Sequence, residues 1–224
     1  MFTTTRIVNT FGNGRLTNNL FHSNLFETYN GQAKTLGDIF RTAKDLTGSD
    51  ENTRNFTLLG DPAVKLAIPE FNVVTTKIDD SPIDSVNDTF KALKLIKVEG
   101  YIANSSGAKM TKFNGTLFPT IYDQTSLMQT LGNDELDPEP SFKTYFNLQK
   151  NKLYVGKATI KDGAFKFEFV VPKDISYLNG AGKISYYATN DSIDAGGLYN
   201  KFIVGGVNTN APTDDNPPQI ALYM

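Results

Sequence analysis

The chain has 224 residues, of which 39% are hydrophobic and 21% charged, and a formal net charge of -2. This is the composition of an ordinary globular protein; it excludes a disordered chain, and the charge leaves no electrostatic footprint for nucleic acid as a partner. With no Cys and a single His, disulfides, thiolate metal sites, a Cys nucleophile and a His-rich metal centre are excluded within these residues.

Residues 1–6 lack the basic and apolar regions of a signal peptide, and no apolar run is long enough to span a bilayer. Any export signal is therefore expected upstream. Residues 3–8 are β-branched and read as a strand, followed by the turn formers of residues 9–14. Over residues 17–29, Leu20, Phe21, Leu25 and Phe26 fall on one helical stripe that Gly31 ends. A second helix starts from Thr35 as N-cap, buries Leu36, Ile39, Phe40, Ala43 and Leu46, and stops at Gly48. Lys44 in its last turn suits the helix dipole. Residues 55–59 read as a buried strand broken by Gly60-Asp61-Pro62, and residues 63–69 as an edge strand. These pieces do not complete a doubly wound sheet, so the α/β part reads as a fragment that exposes a strand edge and an apolar face and is expected to associate when isolated.

After Pro69 the periodicity changes to 2. Strands are expected at 71–78, 92–102, 116–123, 153–160, 164–171, 182–189 and 199–204. Pro119 suggests an edge or a bulge. Lys161-Asp162-Gly163 supplies a tight hairpin turn, after which Phe165, Phe167 and Phe169 share the core face. Short strands with turn signals between them fit an immunoglobulin-like sandwich better than a barrel, and the missing Cys pair and Trp exclude only the antibody branch. The fold class is thus an α/β fragment over residues 1–69 followed by an all-β immunoglobulin-like sandwich over 70–205. Residues 206–224 form a linker and the start of a further segment.

Little here carries chemistry. His22 lies on the first helix as a surface residue, and no Gly-x-Ser-x-Gly elbow accompanies it. The acidic stretches Asp134, Glu135, Asp137, Glu139 and Asp214, Asp215, Asn216 offer oxygen ligands, but neither has the spacing of an EF-hand loop, and both read as solvated loops. Gly12-Asn13-Gly14 is not a phosphate-binding signature. No cofactor, metal or catalytic residue is assigned.

Residues 3–8, 35–44 and above all 52–69, with Leu58-Leu59-Gly60-Asp61-Pro62 before an apolar stretch and Pro69, resemble the end of the gingipain-type cysteine peptidase domain. Residues 154–165 and 182–188 are similar to the sortase branch of that family, which serves type IX secretion in Bacteroidetes. The resemblance implies a caspase-like catalytic fold with a Cys/His dyad upstream of Thr3, followed by an immunoglobulin-like domain. It implies an enzyme of the bacterial cell surface or outer membrane. That enzyme cleaves C-terminal sorting domains from secreted cargo, passes the cargo to a lipopolysaccharide amine, and has outer-membrane secretion components as partners. The chain alone is expected to be inactive, because nothing in it matches the dyad. By the same resemblance, the loop after the first strand, around Thr10 and Phe11, lies toward the substrate cleft. The alternative is a non-enzymatic surface binding or adhesion module; upstream His- and Cys-bearing strands favour the peptidase, further sandwich repeats the adhesin.

Overall fold

The computed structural model describes residues 1–22, 25–29, 32–83, 89–133 and 142–211. The acidic stretches 134–139 and 214–216 and the apolar residues 220–224 lie outside them. The chain forms two compact units, Met1–Ile68 and Pro69–Met224. Helix is confined to the first among the described residues, and strand dominates the second.

The first unit contains β1 (Phe2–Thr4), α1 (Thr10–Phe21), β2 (Thr28–Tyr29), β3 (Gln32–Ala33), α2 (Leu36–Thr47), α3 (Glu51–Arg54) and β4 (Phe56–Leu58). β1 and β4 pair antiparallel as a sheet of two strands. α2 follows the sequence reading at both ends. The Thr35 hydroxyl accepts from the Asp38 N–H at 3.1 Å, and Gly48 closes the helix at φ 103. Its buried stripe is Ile39, Ala43 and Thr47, whereas Leu46, expected inside, is 53% exposed. Thr47 is tolerated there because its hydroxyl donates to the Ala43 carbonyl at 2.7 Å and accepts from Asn19 Nδ2 at 3.0 Å. Phe40 stacks on Phe2 with ring centroids 4.9 Å apart, which seats α2 on the sheet.

Two further expectations are corrected. α1 begins at Thr10, not Thr17, because Asn9 caps it. Residues 63–69 form no strand: the Pro62 and Val64 carbonyls accept from the Gly37 and Leu36 N–H groups at 2.9 and 2.7 Å. The segment therefore satisfies the open N-terminal donors of α2 instead of extending a sheet.

The second unit contains β5 (Phe71–Ile78), β6 (Ser81–Pro82), β7 (Thr89–Ala92), β8 (Leu95–Ala103), β9 (Gly115–Tyr122), β10 (Ser126–Gln129), β11 (Tyr145–Leu148), β12 (Lys152–Val155), β13 (Ala158–Lys161), β14 (Ala164–Val170), β15 (Gly180–Ala181), β16 (Lys183–Thr189), β17 (Asp194–Tyr199) and β18 (Ile203–Val207). Pairing runs β9, β13, β14, β8, β5, β17, β16 and back to β9, so the main sheet closes on itself in the manner of a barrel. The sequence reading preferred two open sheets. Closure arises at two seams. One is the parallel pairing of β17 with β5, Ala195 with Phe71 and Gly196 with Asn72. At Gly197 a Cβ would lie 2.5 Å from the Val73 carbonyl oxygen, so only glycine permits the approach. The other seam is β9 with β13. There the expected strand 153–160 breaks into β12 and β13 opposite Pro119, which has no N–H for the ladder.

The predicted hairpin at 161–163 is present. Ile160 pairs with Phe165 and Lys161 with Ala164, leaving Asp162 (φ 50) and Gly163 (φ 70) as the turn. Phe165, Phe167 and Phe169 are buried at 4%, 6% and 5% exposure. Expected strand 199–204 is replaced by β17 and β18, and expected strand 92–102 splits at Leu93, whose φ is 65.

Inside the closed sheet the Tyr186 hydroxyl meets the Thr75 hydroxyl at 2.9 Å, both residues buried. Burial pushes the Tyr186 phenol far above the ordinary tyrosine range, partly opposed by the bond from Thr75. The folded state therefore holds this proton more tightly than the unfolded state. The stability difference is absent below about pH 10 and turns against folding as the pH rises beyond it. Tyr186→Phe is expected to cost about 1 kcal/mol at neutral pH, because Thr75 loses its partner. It should also flatten the alkaline fall in the urea midpoint, and equal alkaline slopes in the two proteins would contradict this account.

Candidate functional site

The residues that sequence resemblance singles out, Thr10 and Phe11, are the first two of α1 and are both exposed, Phe11 at 78%. Asn9 shapes this end. Its backbone is extended (φ -90, ψ 150), and its Oδ1 accepts from the Gly12 N–H at 2.6 Å. The Asn9 N–H in turn donates to Asn52 Oδ1 at 2.7 Å, which ties the helix start to α3. A Cβ on Gly12 would lie 2.3 Å from Asn52 Nδ2, so glycine is what lets α3 lie against the first turn. The Nδ2 of Asn52 and the Oδ1 of Asn13 are buried without a hydrogen-bond partner.

An open groove of about 390 Å³ runs beside this knot, lined by Ile7, Val8, Asn9, Glu51, Asn52 and Asn55. The leading N–H groups of a helix have no partner inside it, and the dipole favours negative charge there. The groove's charged lining residue is Glu51, so the arrangement suits a neutral carbonyl oxygen better than a carboxylate, and Thr10 and Phe11 do not line it. It contains no nucleophile. His22 caps the opposite end of α1, about 18 Å away by helix rise, so the one histidine and the candidate residues are not brought together.

A second groove of about 470 Å³ is lined by Ala33, Lys34, Thr35, Asp38, Arg41, Thr42 and Lys65. Its one carboxylate is engaged. The Thr35 hydroxyl donates to Asp38 at 2.9 Å and Arg41 approaches at 3.3 Å, and these hydrogen bonds hold the Asp38 carboxyl below its usual range. Lys34 pairs with Glu27 at 2.8 Å. Among the described residues no three His, Cys, Asp or Glu side chains gather in a way that could hold a metal, and no helix is long and apolar enough to cross a membrane.

Sequence reasoning missed Asn9 and Asn52. Asn9 had a usable signal, an Asn three positions before a buried glycine, obscured by reading Gly12 and Gly14 as turn formers. Asn52 had none, since its contact spans 43 positions.

Residues 1–67 match the sequence profile of peptidase family C25. The whole chain is similar to part of a solved protein, dimeric latent PorU from Porphyromonas gingivalis. Identity is 27% and the TM-score 0.57, over 97% of this chain and 21% of that one. The chain thus spans about a fifth of that relative's length. The sporulation control protein Spo0M from Bacillus subtilis matches at 14% identity, over 62% of this chain and 51% of that one, and its TM-score of 0.33 is too low to relate the folds. No curated protein matches the chain. The first unit thus matches a peptidase family of the gingipain type, and the chain is similar in sequence and structure to part of PorU.

Proposed function

We propose that this chain is the C-terminal portion of a PorU-like cysteine peptidase of the gingipain type. The first unit would be the closing part of a caspase-like catalytic domain, and the second an immunoglobulin-type domain behind it. The observation that carries the reading is a coincidence of boundaries. The family C25 match ends at residue 67, one position before the first compact unit ends, while the likeness to PorU continues through the second.

Features of each unit support it. Among the described residues β1 and β4 pair as a two-stranded sheet, and Met1, Ile7 and Phe11 are exposed at 75%, 99% and 78%, which suits the margin of a larger catalytic domain. In the second unit, the run β13, β14, β8, β5 and the run β12, β9, β16, β17 of the closed sheet would correspond to the two halves of an immunoglobulin-type sandwich. On this reading the whole protein works at the bacterial surface, releases C-terminal sorting domains from type IX secretion cargo, and transfers the cargo to a lipopolysaccharide amine. The chain has no Cys, so the nucleophile would come from upstream, and the start of α1 with Thr10 and Phe11 would border the substrate cleft.

The test compares this chain with the full product of its reading frame on a cargo protein bearing a sorting domain. The longer protein should release the domain and lose that activity when its upstream Cys is replaced, while the chain alone should release none. Release by the chain alone, or a reading frame without upstream Cys and His strands, would overturn the proposal.

A further inference from the structure

The outer faces of the two halves of the closed sheet differ in how their charges are matched. On the β5, β8, β14 side, lysines and carboxylates neutralise one another: Lys77 and Lys166 flank Glu99 at 3.8 and 3.3 Å, and Lys97 meets Asp80 at 3.6 Å. On the β12, β9, β16, β17 side the register builds a different lattice. Lys152, Tyr122 and Lys183 form one row, and Val155, Thr120, Ser185 and Leu198 the next. Phe118 and Tyr187 form a third row. The only carboxylate on these four strands is Asp194, at the far end beside Thr189.

Two lysines are held in place by the rings beneath them. Lys183 Nζ lies 4.4 Å from the Tyr122 ring centroid and Lys157 Nζ lies 5.4 Å from that of Phe118. Among the described residues, Lys152, Lys157 and Lys183 form no salt bridge, unlike the lysines of the opposite face. Between and beside them Leu198, Val155 and Tyr187 are 61%, 63% and 44% exposed. Among the described residues the face therefore combines cations that no carboxylate pairs with and an apolar strip.

We propose that this face is a docking surface for an acidic, amphipathic stretch of polypeptide in which carboxylates alternate with apolar side chains. Charge complementarity calls for an anion. Lys152 and Lys183 lie two strands apart, about 10 Å, and Lys157 lies near a ring four residues along β9, about 13 Å away. The interval along β9 is close to two steps of the roughly 7 Å repeat of side chains on one face of an extended chain. The apolar strip selects a polypeptide over an anionic glycan. A sugar polyanion has nothing to cover Leu198 and Val155, and the ring faces it would stack on are already taken by lysine.

The test is binding of the 224-residue chain to a random glutamate–tyrosine copolymer, compared with polyglutamate, heparin and anionic phospholipid vesicles, at about 0.15 M salt where weak surface attraction is screened. The copolymer should bind more tightly than the other three. Replacing Lys152, Lys157 and Lys183 together by Gln should weaken it about tenfold, the scale of several exposed charge pairs. Leu198→Ser should weaken the copolymer but not polyglutamate, and Lys166→Gln on the opposite face should change nothing. Heparin or vesicles binding as tightly as the copolymer would overturn the proposal, as would equal losses from Lys166→Gln and from the triple variant in proteins with unchanged circular dichroism.

Discussion

Phe90→Ala is expected to destabilise the second unit by about 3 to 5 kcal/mol, the range for removing a fully buried aromatic side chain. Phe90 has 0% exposure, stacks on Phe202 at a centroid distance of 4.2 Å, and meets Phe169 edge-on at 6.0 Å. Its loss removes both ring contacts, each worth about 0.5 to 1.5 kcal/mol beyond burial, and leaves a void under β7 and β18. Those strands pair in parallel with Val204 opposite Phe90, so their pairing should weaken together. The measurement is urea unfolding followed by a signal from the second unit. Phe90→Leu, which keeps most of the volume, should recover at least half of the loss. A loss below about 1 kcal/mol for the alanine variant would mean that the cluster repacks around the gap.

The second large effect concerns a buried carboxylate. Asp123 is 3% exposed at the end of β9, where its Oδ1 accepts from the Gln124 N–H at 2.8 Å and its Oδ2 from the Ser176 N–H at 3.2 Å. The Ser176 contact spans 53 positions and holds the segment that inserts Ile175 into the core. Asp123→Ala should cost about 2 to 3 kcal/mol, because two partly buried backbone donors lose their acceptor. Asp123→Asn should rescue only part of this, since its amide nitrogen would face a donor with a donor. Amide hydrogen exchange should speed up at Ser176 in both variants, and unchanged protection there would refute the role assigned to the carboxylate.

What was legible in the sequence was what local chemistry decides. Thr35 and Gly48 bound α2 because a side-chain cap and a positive φ are written in single residues. The 161–163 hairpin was legible because Asp-Gly between alternating strands leaves few other conformations. Leu46 was misassigned because pattern reading ranks apolarity above hydrogen-bond satisfaction, whereas Thr47 enters the interior with its hydroxyl bonded on both sides. β10 and β11 gave no signal: β11 is exposed throughout, and the run Ser126-Leu127-Met128-Gln129 of β10 does not alternate polar with apolar residues. Closure of the main sheet was invisible as well, because it rests on Gly197 approaching Val73, a contact between distant positions. At the candidate site, Thr10 and Phe11 came from family resemblance alone, and the Asn9 and Asn52 contact beneath them depends on how α1 and α3 meet.

Among the described residues of the second unit, β17 pairs in parallel with β5 and β18 in parallel with β7. Under tension applied at its two ends, antiparallel hairpins would peel open one hydrogen bond at a time. The parallel seams lie along the line of pull instead, so their bonds are loaded in shear and must yield together. The short β5 and β17 seam would then act as a mechanical clamp, bearing force until it releases in a single step.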